Sequence, residues 1–224
     1  MFFSKFALNL HSMKKNLILL AGIAAAVTLS SCVNNAPDNA SDKGSSALEV
    51  IMSRKSVRTF SGEKITPEQT EILLKAAMAA PTAINMQPWQ FVVVNDDEVL
   101  QKLYGNDPRG AMFIQAGTVI YVCGETEMVR PGRDGGAPQA APNQFWSQDC
   151  SAATENLLLA AEAIGLGAVW TALYPDEMRS KPIAEALGLP ENVKPLCAVP
   201  VGFPAGDEQP KDKWKPEKIH YNRW

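Results

Sequence analysis

From residue 47 onward, apolar positions fall into alternating helical and extended patterns. Leu48, Ile51 and Met52 have helical spacing and predict a short helix over Ala47–Arg54. Thr66-Pro67-Glu68-Gln69 reads as a helix start, with a Thr cap, Pro at the first position and an acid in the first turn. Ile72, Leu73, Ala76, Ala77 and Ala80 continue that helix, and Pro81 ends it. Phe91–Val94, Thr118–Cys123, Ala168–Leu173 and Leu196–Phe203 are short apolar runs that predict strands. Asp97–Tyr104 and Asp176–Leu187 predict helices, the second closed by Gly188 and Pro190. Asp149–Ile164 is rich in Ala and Leu on every face, so it is expected to be buried, in a core or at a subunit interface. Gly165-Leu166-Gly167 stops it. Residues Thr126–Asn143 are dense in Gly, Pro and polar groups and read as one long loop, of the length that lids and mobile segments have. Helices and strands mix without a βαβ rhythm or an internal repeat. The expected class is α+β, a central, mainly antiparallel sheet flanked by helices.

Before residue 47 the pattern changes. Lys14 and Lys15 precede an uncharged apolar run from Leu17 to Leu29. That run is shorter than the roughly 20 residues a membrane-spanning helix needs, and a signal peptide fits it. Its end, Leu29-Ser30-Ser31-Cys32, resembles a bacterial lipoprotein lipobox. The resemblance implies cleavage before Cys32 and lipidation of that cysteine, hence a cell-envelope protein lipid-anchored on the periplasmic or outer side of a membrane. Residues 1–32 are then a leader, with translation expected to begin at Met13, since Met1–Ser12 have no role in such a signal. Residues 33–46, rich in Asn, Asp, Ala, Ser and Gly, are expected to be a flexible tether. The folded domain is expected over 47–224.

Charge and cysteines narrow the chemistry. The net charge is −3 and no basic stripe runs through the chain, which argues against nucleic acid as a partner. Lysines concentrate only at Lys211, Lys213, Lys215 and Lys218, which on charge alone read as a solvated tail. Cys123, Cys150 and Cys197 lack CxxC spacing, so zinc and thioredoxin-type chemistry have no support, and Cys123 and Cys197 read as buried small apolar residues. The two histidines, His11 and His220, give no basis for a His metal site or a Ser-His-Asp triad.

Two polar constellations remain. In an extended chain Arg54, Ser56 and Arg58 point to one side, a row that suits a phosphate or, alternatively, a solvated basic turn. Pro81-Thr82-Ala83-Ile84-Asn85-Met86-Gln87-Pro88-Trp89 places Asn85 and Gln87 in a loop bracketed by prolines. Their amides suit the imide edge of a planar ring, or equally a turn that bonds its own backbone.

Together these motifs resemble the FMN-dependent nitroreductase family, which carries Arg-x-Ser-x-Arg/Lys after its first helix and a Pro-Ser/Thr-x-x-Asn-x-Gln-Pro-Trp loop before its first long strand. Gln148-Asp149-Cys150-Ser151-Ala152-Ala153, Leu157–Ala161 and Gly165-Leu166-Gly167-Ala168-Val169-Trp170 extend the likeness over nearly all of the chain from Leu48. The resemblance implies an FMN-binding oxidoreductase and an intertwined homodimer whose site takes residues from both subunits. It places Arg54, Lys55 and Ser56 at the FMN phosphate and ribityl, and Arg58 near the N1/C2 end of the ring. Asn85 is implied at the ring's polar edge, with Pro81, Thr82 and Gln87 around it, and backbone groups in Trp170, Thr171, Ala172 and Leu173 toward flavin N5. Some relatives have Glu-Gly where this chain has Ala172-Leu173, which keeps a backbone donor and removes a carboxylate. Lys211 and Lys213 match tail residues that complete the phosphate site, so the lysine run gains a function it lacks on charge alone. The implied mechanism is ping-pong hydride transfer through flavin N5, from a reduced small-molecule donor to a nitroaromatic, quinone or similar acceptor, with no side-chain acid–base pair. Phe145 and Trp146 follow the long loop and either stack over substrate or anchor the next helix in the core. Because NAD(P)H is scarce outside the cytoplasm, an envelope location raises a different donor, or FMN storage without turnover, as alternatives. A specialised chemistry such as dehalogenation or flavin degradation has no feature that demands it.

Overall fold

The computed structural model describes residues 47–130 and 136–224; the leader, Cys32 and the tether lie outside the described residues, as does part of the expected long loop. Helices form where the caps predict them. Helix α1 (Ala47–Ser53) is followed by α2 (Pro67–Met78), where the Thr66 side chain accepts from the Gln69 N–H and the Gln69 side chain accepts from the Thr66 N–H. Strand β1 (Trp89–Val94) leads to α3 (Asp97–Tyr104), capped by Asp96, and then to α4 (Ala111–Ala116). Strand β2 (Val119–Glu125) is followed by β3 (Glu127–Arg130) and β4 (Gln139–Pro142). Helix α5 (Trp146–Ala163), β5 (Gly167–Ala168), β6 (Thr171–Ala172), α6 (Glu177–Leu187) and β7 (Val193–Gly202) complete the order.

The sheet runs β1-β2-β7-β5, with β6 also on β7, and every pairing between these strands is antiparallel. Strand β7 is its spine, buried along nearly its whole length. Side chains alternate across the sheet and create two cores. On one face Ile120, Val122, Cys197 and Val199 pack with Leu73 and Ala77 of α2 and Leu157 and Leu158 of α5. On the other, Val119, Tyr121 and Ala198 pack with Leu100 and Tyr104 of α3 and Phe113 of α4, with Ile183 and Leu187 of α6 against them. The α+β class with a mainly antiparallel sheet flanked by helices is therefore the observed one.

Three expectations need correction. The stretch over Thr126–Asn143 is not one featureless loop: β3 and β4 pair in it from Glu127↔Pro142 to Arg130↔Gln139. The strand expected over Ala168–Leu173 breaks at Val169–Trp170 into two short pieces, both on β7. Helix α5 begins at Trp146, three residues before Asp149. Helix α4 was not among the expected elements; its six residues are too few to display a helical period.

Candidate functional site

The Arg54–Arg58 segment leaves α1 and runs extended beside β5. Ser56 bridges to Ala168 in parallel, and the Val57 N–H donates to the Ala168 carbonyl at 3.1 Å. Val57 turns inward and is 1 % exposed, so Arg54, Ser56 and Arg58 share the opposite, accessible side. Gly167 permits this approach: a Cβ there would lie 2.6 Å from Val57 Cγ1. Arg54 Nε is 3.6 Å from Glu155 of α5, and Arg58 Nη1 donates to the Ser56 carbonyl at 3.2 Å. Lys55 is engaged elsewhere. Its ammonium lies 3.2 and 3.3 Å from the two carboxylate oxygens of Glu162, so it tethers the segment to α5 rather than joining Arg54 and Ser56.

Strand β6 continues the same edge. The Val169 and Leu173 N–H groups donate to the Pro200 and Leu196 carbonyls of β7. N–H direction alternates along a strand, so the Ala172 N–H points away from β7, on the side where β6 has no strand neighbour among the described residues. Trp170 and Thr171 are half-buried and Ala172 is exposed.

The C-terminal segment is pinned to this edge. Phe60 bridges to Pro204, the Ala205 N–H donates to the Thr59 carbonyl at 2.9 Å, and Glu208 Oε1 accepts from the Arg58 and Thr59 N–H groups at 2.8 and 3.1 Å. These N–H donors, that of Arg58 first, hold the Glu208 carboxyl below the usual range. Lys211 follows Glu208 by three residues, a span of at most about 11 Å, and Lys211 and Lys213 are both exposed. Arg54, Ser56 and Arg58 thus share one sheet edge with Ala172, which lies four residues along it from Ala168, and the tail is pinned to the same segment through Glu208.

The Pro81–Trp89 loop lies elsewhere. It precedes β1, the opposite edge strand. Ile84, Asn85 and Gln87 have φ of 45°, 58° and 51°, a left-handed backbone that is an outlier for a β-branched residue such as Ile84. Such strain persists only where the surroundings over-determine it. Here the Gln87 N–H donates to Thr82 Oγ1 at 3.1 Å, Gln87 Nε2 donates to Asn85 Oδ1 at 3.1 Å, and the Ala83 N–H donates to Asp149 Oδ1 at 3.0 Å. Asn85 and Gln87 are exposed, as is Pro81, while Thr82 is half-buried.

Two distances separate this loop from the first edge within one chain. From Asp149, which holds Ala83, to Glu162, which holds Lys55, α5 runs about 20 Å at ~1.5 Å per residue. Across the sheet, Ser56, β5, β7, β2 and β1 are successive neighbours, roughly 19 Å at ~4.8 Å per step. One chain brings the two halves of the expected site to opposite ends of the fold.

Of the two aromatic candidates, Trp146 is a core residue, 7 % exposed and edge-on to Tyr174 at 4.7 Å; Phe145, 46 % exposed, is the accessible one. Three features escape the sequence reading. Asp149 is 6 % exposed, and its Oδ2 has no hydrogen-bond partner among the described residues; the signal was an acid in the first turn of a largely apolar helix. Glu208 pins the tail and resembles any other acid of a polar segment. The third is a cavity of about 320 Å³ between α3, α4 and α6, flanked by Thr171 and Ala172, with Arg109 and Arg179 among its lining. It is built from segments far apart in sequence.

Comparison with known proteins agrees with this arrangement. The model of the nitroreductase family matches residues 51–107 and 106–203. A protein of Archaeoglobus fulgidus, provisionally named NADH dehydrogenase/NAD(P)H nitroreductase, is 40 % identical over 180 residues, covering 79 % of this chain and 98 % of its own. The FMN reductase (NADPH) of Bacillus subtilis is 25 % identical over 185 residues, covering 78 % of this chain and 72 % of its own. A crystal structure from Bacteroides thetaiotaomicron, under the same provisional name as the archaeal protein, is 43 % identical with a TM-score of 0.70, covering 81 % of this chain and 99 % of that one. With the motifs, the sheet order and these matches in agreement, the chain belongs to the nitroreductase family.

Proposed function

We propose that this protein is an FMN-dependent oxidoreductase that works as a homodimer and moves two electrons, as a hydride, from a reduced donor to a nitroaromatic, quinone or similar acceptor. NAD(P)H or an envelope substitute is the donor. The observation that carries this reading is the row of Arg54, Ser56 and Arg58 laid beside Ala168, on the sheet edge that also carries the outward Ala172 N–H. The donor set fits FMN. Arg54 and Ser56 supply charge-assisted and neutral donors for a phosphate and ribityl, and Lys211 and Lys213, in the tail that follows the Glu208 pin, add cations for the same phosphate. A Lys at the second tail position gives a point charge where an Arg would give a fork. Arg58, held by its own segment, is a fixed cation that favours negative charge on a ring beside it. The Ala172 N–H is a preorganised donor that needs no side chain, so the missing carboxylate at this position leaves it intact. When bound, FMN supplies reversible two-electron redox chemistry, which the protein's side chains lack.

The separation of the two half-sites supports the homodimer. Pro81, Thr82, Asn85 and Gln87 serve a ring held by the partner's Arg54–Arg58 edge, because a gap of about 20 Å keeps them from their own. Exposed apolar groups support it too: Leu48, Ile51 and Met52 on α1, Ile72 and Met78 on α2, and Trp214, Tyr221 and Trp224 in the tail. Such surface is more than a monomer needs to leave in water. Lipidation at Cys32, with residues 33–46 as tether, anchors the dimer to the membrane of the cell envelope.

The test is reconstitution. Protein purified from residue 33 onward is expected to be yellow, to bleach anaerobically with NADH or NADPH, and to recover with a quinone or nitroaromatic. A colourless protein that FMN cannot reconstitute refutes the reading. A yellow protein that bleaches only with dithionite replaces turnover with storage or a non-nicotinamide donor. Cys32→Ser is expected to move the full-length protein from the membrane to the soluble fraction; membrane retention unchanged in that variant refutes the anchor.

A further inference from the structure

The cavity between α3, α4 and α6 is not explained by holding a cofactor phosphate or by packing. Its walls are apolar, with Phe113 and Ala198 from the second core and Met112 and Ile183 beside them. At about 320 Å³ it is of the size that holds a single-ring molecule, and Thr171 and Ala172 are part of its wall. Its charged groups are unevenly balanced: Arg109 and Arg179 against Asp107. Arg109 stands in the turn between α3 and α4, where its N–H donates to Asp107 Oδ1 at 2.8 Å and its Nε lies 3.5 Å from the same oxygen. Arg179 stands in the first turn of α6, its Nε 3.3 Å from Asp176 Oδ2. The Asp107 carboxyl is held below the usual range by the Arg109 N–H first, and also by the charges of both arginines. Each guanidinium is tethered to its neighbouring acid through Nε. The terminal nitrogens are the atoms that grip a carboxylate in a fork.

We propose that this cavity receives the electron acceptor and that Arg109 and Arg179 select acceptors in which a planar ring carries a carboxylate. The ring lies against Met112 and Phe113, and the carboxylate meets the terminal guanidinium nitrogens at the opening. The proposal rests on the reading that Thr171 and Ala172 flank the cofactor ring, since only then is a ligand here in reach of it. It concerns binding alone. The selection comes from charge at the mouth, while the apolar walls accept many rings of similar size.

The test compares two ligands with the same nitro ring, 4-nitrobenzoate and 4-nitrobenzyl alcohol, by their dissociation constants for the yellow dimer in calorimetry. The anion is expected to bind about tenfold tighter at low salt, with the advantage shrinking as sodium chloride is raised. Arg109→Gln and Arg179→Gln, combined, are expected to abolish that preference and leave the alcohol within about twofold of wild type. Both side chains are at least half exposed, so the substitutions leave the cores untouched. Ile183→Trp, which fills the cavity, is expected to weaken both ligands. Equal affinity of the two ligands in the wild type overturns the proposal, as does a preference that survives the double substitution. Loss of the flavin from the double variant overturns it too, by giving the arginines to the cofactor. If the protein binds no FMN at all, the proposed function fails visibly, and the same calorimetry on colourless protein still reports whether the cavity prefers the anion.

Discussion

Asp149→Ala removes the acceptor that ties the Thr82–Gln87 loop to α5. Asp149 Oδ1 takes the Ala83 N–H at 3.0 Å, inside a site where the residue is 6 % exposed. Leaving a buried donor without a partner costs about 1–3 kcal/mol. An acid in the first turn of a helix adds roughly 0.3–1 kcal/mol through the dipole, which the substitution also removes. Against this, Oδ2 is buried without a partner among the described residues, and its removal returns part of the loss. The expected balance is a destabilisation of about 2 kcal/mol, which for a domain of this size lowers Tm by about 4–8 °C. The loop responds more than the core does. Ile84, Asn85 and Gln87 hold a left-handed backbone that relaxes once its anchor is gone, so the position of Asn85 is lost. FMN affinity is therefore expected to fall by at least about tenfold, and Asp149→Asn, which keeps an acceptor oxygen, by less. Differential scanning calorimetry and flavin fluorescence titration measure the two effects separately. An Ala variant with wild-type Tm and wild-type FMN affinity would refute the reasoning that Asp149 positions the loop.

Three further outcomes follow from the geometry. Gly167→Ala sets a Cβ 2.6 Å from Val57 Cγ1, so it should cost about 1–3 kcal/mol and displace Ser56; an unchanged melting curve and FMN affinity would contradict the close approach. Glu208 has its folded-state pKa lowered, so its contribution is present above the ordinary glutamate range and is lost as pH falls through the lowered value. Protection factors for amide exchange at Arg58, Thr59 and the 203–208 segment should fall on acidification, and in Glu208→Gln they should be low at neutral pH already; equal protection factors at both pH values speak against the pin. Burial pushes the Cys123 and Cys197 thiols up to about 12, and Cys150 higher still, so none of the three should react with a disulfide reagent at pH 8 until the domain is unfolded. Rapid labelling of the folded protein would show the core to be open.

The capped helices are legible in the sequence because their signals are local. Thr66 with Gln69, and Asp176 with Gly188, state a start and a stop within a few residues. The pair β3 and β4 is not legible, because four-residue strands among Gly and Pro have too little apolar alternation to stand out. The Arg54–Arg58 row is legible as an alternation, and Val57 turning inward is what the period of two requires. Lys55 shares that run of polar residues but points the other way, to Glu162, a partner 107 positions along the chain. Trp146 and Phe145 illustrate the same limit. Adjacent aromatics after a loop read alike, and only the tertiary fold sends one to the core and leaves its neighbour accessible. Asp149 and the cavity with Arg109 and Arg179 depend wholly on such long-range contacts.

The central claim is a flavin site shared between two chains, and subunit mixing tests it most directly. Arg54→Ala combined with Ser56→Ala cripples one half-site, and Asn85→Ala combined with Gln87→Ala cripples the other. Each homodimer alone is expected to lose its flavin. Coexpressed in equal amounts, half of the dimers are mixed, and each mixed dimer regains one intact site, so flavin content should recover to about a quarter of wild type. A mixture as colourless as its parents would contradict the shared site and return all of the binding residues to a single chain.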